Sequence, residues 1–433
     1  MASSVATVSS HKELLAAVLE KSSPIPFLED WTSVREQFRL SSKYLHFAGF
    51  YLASHPKPVR DAINAFRAAL DENPVTTVEQ GQFGTNGESL RFEVQTIAAK
   101  YIGGQPEDIA LTPNTTTGLA FVYHGLALKS GDEILVTTHD HFVHHESVRL
   151  ASEFSGASVR KFSLFDEAAA ATIDEIVTRV REAIKPQTRV LGVTWVHSAT
   201  GIRLPIREIA SVIADANRER AESDRMFLVV DGVHGIGAVD ETIAELGADF
   251  FCAGTHKWLF GPRGTGLVWA PSENWARLRP IVPTFSAVEP YSAWVDDRPP
   301  RGPVKADWIT PGGFLTYEHQ WAMRAAFQMH LAIGRARVAT RINDLNNRIK
   351  QGLAGLPRVK LHTPRSPTLS AGICCFQVEG MDADSVVKAL LDRYIIASAS
   401  PYAVSYPRLS GGLMNTPEEI DKVISAVHSI TSV

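Results

Sequence analysis

The chain has 433 residues, room for two or three domains and a large α/β core. Hydrophobic residues make up 45% and charged residues 21%, and a net charge of -4 without any dense Lys/Arg tract argues against a nucleic-acid partner. The three cysteines, Cys252, Cys374 and Cys375, form no disulfide framework and fit a reducing, cytoplasmic setting, and no apolar run is long enough to span a bilayer.

The opening "MASSVATVSSHKELLAAVLEK" has Ser, Lys and Glu where a signal peptide needs its apolar core. It reads as a short disordered lead and an amphipathic helix, within an N-terminal helical segment 1–40. Further on, runs rich in Val, Ile and Leu alternate with helical ones. "DIALT", "EILVTT", "SVRKFSL", "TRVLGVTWV", "MFLVVDG", "DFFCAG" and "GTGLVWA" predict buried strands. "TTTGLAFVYHGLAL", "HHESVRLASEFSG", "TIDEIVTRVREAI" and "PIREIASVIADANRERAES" predict the helices between them. This rhythm predicts an α/β fold, with a mostly parallel seven-stranded sheet flanked by helices, in a large domain over 41–290.

The stretch 283–313, rich in Pro, Gly and aromatic residues, reads as a long ordered loop, and 291–320 as an interface and active-site loop. One long helical stretch over 315–356 follows. "AGICCFQVE", "DADSVVKALLDRY", "IIASAS" and "TPEEIDKVISAVHSI" then give strand, helix, strand and helix, a smaller α+β domain over 321–433.

Parallel sheets bind ligands at the carboxyl ends of their strands, so the residues just past each strand carry the functional reading. After "DIAL" stand Thr115 and Thr116 at a helix start, an anion site or a plain threonine cap. After "EILVTT" comes "HDHFVHHE", with His139, His141, His144 and His145. Metal ligation and one imidazole lying flat on an aromatic ligand are equally compatible with that spacing. After "VLGVTWV" come His197 and Ser198, able to hold an oxygen or simply to turn the chain. After "MFLVV", Asp231 ends an apolar strand, either capping a helix or facing a cation such as a pyridinium nitrogen; His234 follows. After "DFFCAG" comes Lys257, a surface lysine or one held to form a Schiff base. In chain order these are an anion turn, a flat imidazole, an oxygen site, a buried acid and a lysine. That ordered set matches the needs of pyridoxal 5'-phosphate.

At "GTHKWLFGPRGTG" and "VVDGVHGIG" the sequence resembles the fold-type I pyridoxal-phosphate enzymes, aminotransferase class V branch. That branch includes the cysteine desulfurases and isopenicillin N epimerase, and the likeness runs from "YLHFAGFYLASHP" to "NTPEEIDKVISAV". The resemblance implies Lys257 as the Schiff-base lysine, Asp231 on the pyridine nitrogen and His141 stacked on the ring. It implies Thr115, Thr116 and His256 at the phosphate, and His234 and Ser198 near the phenolic oxygen. It implies Arg408 on the substrate carboxylate and Thr310 lent to the phosphate of a homodimeric partner, so that active sites are shared.

Phe50, Tyr51 and Tyr402 are expected to line the substrate pocket. Phe285, Tyr291 and Trp294 either wall it or pack the dimer interface. The implied activity is chemistry at Cα of an amino acid or derived metabolite through an external aldimine and a quinonoid, epimerase-like and in specialised metabolism. Elimination, substitution, cyclisation and transamination are the alternatives; a metal-binding scaffold is the non-enzymatic one. The segment "IIASASPYAVSYP" before Arg408 holds no cysteine, which argues against a cysteine desulfurase. Gly254-Thr255 also replaces the Ser-Gly that several relatives carry before the histidine.

Overall fold

The computed structural model describes residue 25 and residues 28–83 and 89–432. The helix expected in the first twenty-odd residues lies outside them.

Thirteen strands are found among the described residues. A short β1 (Leu45–His46) precedes β2 (Ile109–Thr112), β3 (Glu133–Thr137), β4 (Ser158–Phe162), β5 (Thr188–Thr194), β6 (Phe227–Asp231), β7 (Phe250–Gly254) and β8 (Gly266–Trp269). The last seven form one sheet in the order β2–β8–β7–β6–β5–β3–β4. Only β8 runs antiparallel to its neighbours. Side chains alternate between the faces with period two. Leu135, Leu191 and Leu228 point into one core, and Ile134, Val190 and Val229 into the other. The helices Thr115–Gly125 and Phe142–Ser155 and those at Ile173–Ala183 and Ile206–Asn217 sit where the sequence predicts them, with ends shifted by a few residues.

A second sheet is built from β9 (Val359–Leu361), β10 (Cys374–Val378), β12 (Ser398–Ala399) and β13 (Pro407–Leu409), in the order β12–β13–β10–β9. Strand β11 (Ile395–Ile396) instead pairs with β1, so the "IIASAS" run divides between two sheets.

Three expectations are corrected. The single long helix over 315–356 is two, Tyr317–Ile333 and Arg335–Ala354. Between them Gly334 has φ 95°, a left-handed-side conformation that costs a residue with a Cβ far more than glycine. The first of these helices packs against Lys57–Glu72 and Leu90–Ile102, joining Trp321 to Phe66. Residues 321–333 therefore sit on the body of the large sheet rather than with the C-terminal sheet. The loop 283–313 also contains two short helices, Val288–Val295 and Ala306–Ile309.

The N-terminal helix Trp31–Glu36 docks on the C-terminal part. Arg337 and Arg341 lie over the Trp31 ring, and Arg35 pairs with Glu419 at 2.6 Å. No helix among the described residues is long and apolar enough to cross a membrane.

Candidate active site

Beyond the carboxyl ends of β3, β5, β6 and β7 lies a cavity of about 380 Å³. It falls within the size range of ligand sites, roughly 300–1,000 Å³. Phe50, Tyr51, Thr115, Thr116, His141, Ser198, Asp231, His234, His256, Lys257, Tyr402 and Arg408 all line it. The structure thus brings together the residues expected at this chain's own cofactor and carboxylate sites; Thr310, expected at a neighbour's phosphate, is not among the lining.

The inner wall comes from the sheet. Asn114 caps the helix Thr115–Gly125 by accepting the Thr117 N–H at 2.9 Å. The Thr115 and Thr116 N–H groups at the helix start then have no intrahelical acceptor, and the helix dipole favours an anion beside them. Thr115 Oγ1 accepts the Gly254 N–H at 2.7 Å, tying this helix to the end of β7. A Cβ on Gly254 would stand 2.9 Å from His256 Nδ1, so only glycine leaves this approach open.

Lys257 follows on a tightly held loop. Phe260 N–H donates to its carbonyl at 3.0 Å, and Gly261 N–H to the Thr255 carbonyl at 2.8 Å. Phe260 itself has φ 57°, strain that persists because its ring is packed against Phe38. Burial pushes the Lys257 amine down to about 8; the Arg408 charge acts in the same direction and Asp231 opposes it. Lys257 Nζ meets His234 Nε2 at 2.8 Å. Burial, helped by the charges of Lys257 and Arg408, lowers His234 well below its ordinary value, so the ring is neutral and accepts from the ammonium. His234 Nδ1 is buried without a partner.

Asp231 is buried at the end of β6. Its Oδ1 accepts the Val233 N–H at 3.1 Å, and it makes no ion pair among the described residues. His141 caps the helix Phe142–Ser155, with Nδ1 accepting the Val143 N–H at 3.3 Å.

The outer wall comes from segments far apart in the chain. Arg408 is 3% exposed and has no carboxylate partner among the described residues. Its Nε donates to Ser398 Oγ at 3.2 Å, one Nη1–H to the Ser198 carbonyl at 3.0 Å and one Nη2–H to the Ala399 carbonyl at 2.9 Å. A guanidinium has five N–H donors, so one remains on each terminal nitrogen, the fork that suits a carboxylate. Phe50 packs under its plane at 4.9 Å. Ser198 Oγ bonds the Tyr402 hydroxyl at 2.8 Å, and the Tyr402 ring meets His141 edge-on at 5.9 Å. Ser198 is thus held by two residues of the C-terminal part, a connection with no trace in local sequence.

Other placements differ from expectation. Thr310 is 1% exposed, and its hydroxyl accepts the Leu111 N–H at 3.1 Å inside its own chain. Accepting this bond leaves the hydroxyl hydrogen free to donate. Phe285, Tyr291 and Trp294 do not line the cavity; Tyr291 and Trp294 are 64% and 75% exposed. The histidine cluster forms no metal site among the described residues. His144 bonds the Tyr123 hydroxyl at 2.6 Å, His145 the Thr137 carbonyl at 2.7 Å, and His139 stacks on Phe165. Sequence reasoning missed Asp140, whose carboxylate accepts from Thr137 and from Thr194 Oγ1 and joins the turns after β3 and β5. An acid between two histidines directly after an apolar strand was the available signal. His197 Nε2 is buried, unpartnered and on the cavity wall.

The donor set fits pyridoxal phosphate. Free helix-start N–H groups suit its phosphate, an uncompensated buried acid suits its pyridinium, unpartnered imidazole nitrogens suit its polar edge, and a desolvated amine suits its aldehyde. A mostly parallel sheet with these groups at its strand ends defines a pyridoxal-phosphate-dependent enzyme of fold-type I. Comparison with known proteins is more specific: residues 52–423 match the aminotransferase class-V family, and the chain belongs to it. It is 26% identical over 418 residues to isopenicillin N epimerase of Streptomyces clavuligerus, covering 93% of this chain and 98% of that protein. It is 25% identical over 426 residues to a probable cysteine desulfurase of Xylella fastidiosa, covering 93% and 96%. A solved structure of C-DES with glycine covalently linked to its PLP cofactor superposes with a TM-score of 0.79 at 22% identity, covering 91% of this chain and 98% of that one.

Proposed function

We propose that this enzyme makes and breaks the Cα–H bond of an L-amino acid or an amino-acid-derived metabolite, with an epimerase-like outcome. One observation carries the reading: a buried guanidinium with two free donors shares a cavity with a desolvated lysine. When bound, pyridoxal phosphate supplies an aldehyde for amines and a sink for electrons released at Cα.

The protein's own groups do the rest. Thr115 and Thr116 N–H groups, with His256, hold the phosphate. Asp231 holds the proton on the ring nitrogen, and His141 covers one ring face. Arg408 receives the substrate carboxylate and so fixes which Cα bond faces Lys257. Lys257, with an amine near neutrality, takes the proton at Cα on its own face, and a proton delivered to the opposite face inverts the centre. Cys252 lies in β7 and Cys374 and Cys375 in β10, all buried, and none lines the cavity. This supports epimerase-like chemistry over sulfur transfer through a site thiol. Two copies of the chain pack through the exposed apolar side chains of Phe285, Val288, Tyr291 and Trp294, whose contiguity in sequence supports the reading.

The test is incubation of the holoenzyme with a panel of amino acids in deuterated water. Deuterium at Cα in both enantiomers is expected for the true substrate. Protium retained at Cα across the panel would overturn the reading, and a keto acid with loss of a β-substituent would replace epimerisation by elimination. Borohydride should fix the cofactor to the peptide carrying Lys257.

A further inference from the structure

We infer that the outer half of the cavity is a subsite for an uncharged, apolar or aromatic side chain of the substrate. The inference rests on the function just proposed, because it takes Arg408 as the α-carboxylate site. Besides the buried Val233, the Phe, Tyr, Pro and aliphatic residues lining the cavity are Phe50, Tyr51, Leu52, Val143, Pro401 and Tyr402. Tyr51 and Leu52 are 65% and 47% exposed there. Large apolar side chains bordering a cavity gain when a ligand covers them.

These side chains are also held in place. Tyr51 N–H donates to the Ala48 carbonyl at 3.0 Å, and Ala53 N–H to the carbonyl of His256, next to the lysine, at 3.2 Å. The opposite lip is a closed loop: Ser400 N–H donates to the Tyr406 carbonyl and Tyr406 N–H to Ser400 Oγ, both at 2.9 Å. Its Tyr402 hydroxyl is occupied by Ser198, so the lip offers the ligand mainly ring and Pro401 surface.

Charge sharpens the choice. Among the described residues lining the cavity, Asp231 is the one carboxylate, and it sits on the inner wall. An ammonium group entering past Tyr51 would lose water, face the Arg408 charge and find no carboxylate on the rim among the described residues. A second carboxylate would be drawn to Arg408 but would leave the apolar rim uncovered.

The experiment titrates the holoenzyme with L-norleucine, L-phenylalanine, L-lysine and L-glutamate, reading the cofactor's visible band. Norleucine is lysine's chain without its ammonium, so the pair isolates charge. Norleucine and phenylalanine should reach half-saturation at concentrations about tenfold or more below those of lysine and glutamate, as expected for burying an apolar side chain. Leu52→Glu and Tyr51→Glu, both at exposed positions, should weaken norleucine about tenfold and improve lysine. Lysine or glutamate saturating as readily as norleucine, or a ranking unchanged in Leu52→Glu, overturns the subsite while leaving the proposed chemistry standing. A band that no amino acid moves overturns the proposed function and the subsite together.

Discussion

The two walls of the cavity are built differently. The inner wall is set by strand ends: Asp231 is the last residue of β6, and Thr115 and Lys257 each sit three residues past the end of β2 and β7. The outer wall joins residues near 50, 198, 402 and 408, held by a hydroxyl pair and by a guanidinium on backbone carbonyls. A sheet places groups rigidly and once, which suits fixed chemistry. A cleft assembled from separate segments can change one lip without disturbing the other, which suits the choice of substrate.

Substitutions on the inner wall should therefore abolish chemistry, and those on the outer wall should shift binding. Lys257→Ala should lower turnover on the order of 10³-fold or more and remove the borohydride-sensitive band, while cofactor still binds non-covalently. Wild-type turnover in this variant would erase the distinction. Asp231→Asn should cost about 1.5–3 kcal/mol, roughly tenfold to hundredfold in turnover, by losing a charge-assisted bond to the ring nitrogen. Circular dichroism should show the fold intact.

Arg408→Leu should raise KM for amino acids by a similar roughly tenfold to hundredfold factor with the cofactor band unchanged. The matching decarboxylated amine should bind wild type and variant alike; a large difference there would assign Arg408 to something other than the carboxylate.

The lysine also makes the inner wall sensitive to pH. Its amine loses its proton near 8 rather than 10.5. Cofactor capture by the apoprotein needs the neutral amine, so its rate should rise about fivefold from pH 7 to 8 and level off above, by simple titration. A rate still climbing at pH 10 would contradict the desolvated amine. The smallest effect belongs to Tyr402→Phe, which removes one hydrogen bond of about 0.5–1.5 kcal/mol to Ser198. KM should change a few-fold and kcat little; a variant losing the cofactor band would move Tyr402 to the inner wall.

Much of the inner wall was legible in the sequence because one residue past each apolar strand is a local signal. The strands themselves were legible for the same reason: runs such as "MFLVVDG" are apolar on both faces. The outer wall was less so. Arg408 and Tyr402 could be named by likeness, but the grip of both on Ser198 spans about two hundred residues and leaves no periodicity. The break at Gly334 was hidden because the helical pattern is continuous across it, and a single backbone angle decides it. The Leu111 N–H that Thr310 accepts was hidden as well, because the motif shows a hydroxyl but not its partner across the fold.

Arg408 also bears on the stability of the whole molecule. Carbonyl and hydroxyl oxygens satisfy part of its hydrogen bonding but none of its charge, so among the described residues the unliganded fold gives this buried cation no counter-ion. A carboxylate ligand completes that electrostatic arrangement in the folded state and has no equivalent site in the unfolded chain. Ligand and fold are then thermodynamically linked: at a hundredfold excess over Kd, a bound carboxylate adds about 2.7 kcal/mol to unfolding. The melting temperature is thereby an assay for substrate, independent of which bond the enzyme goes on to break.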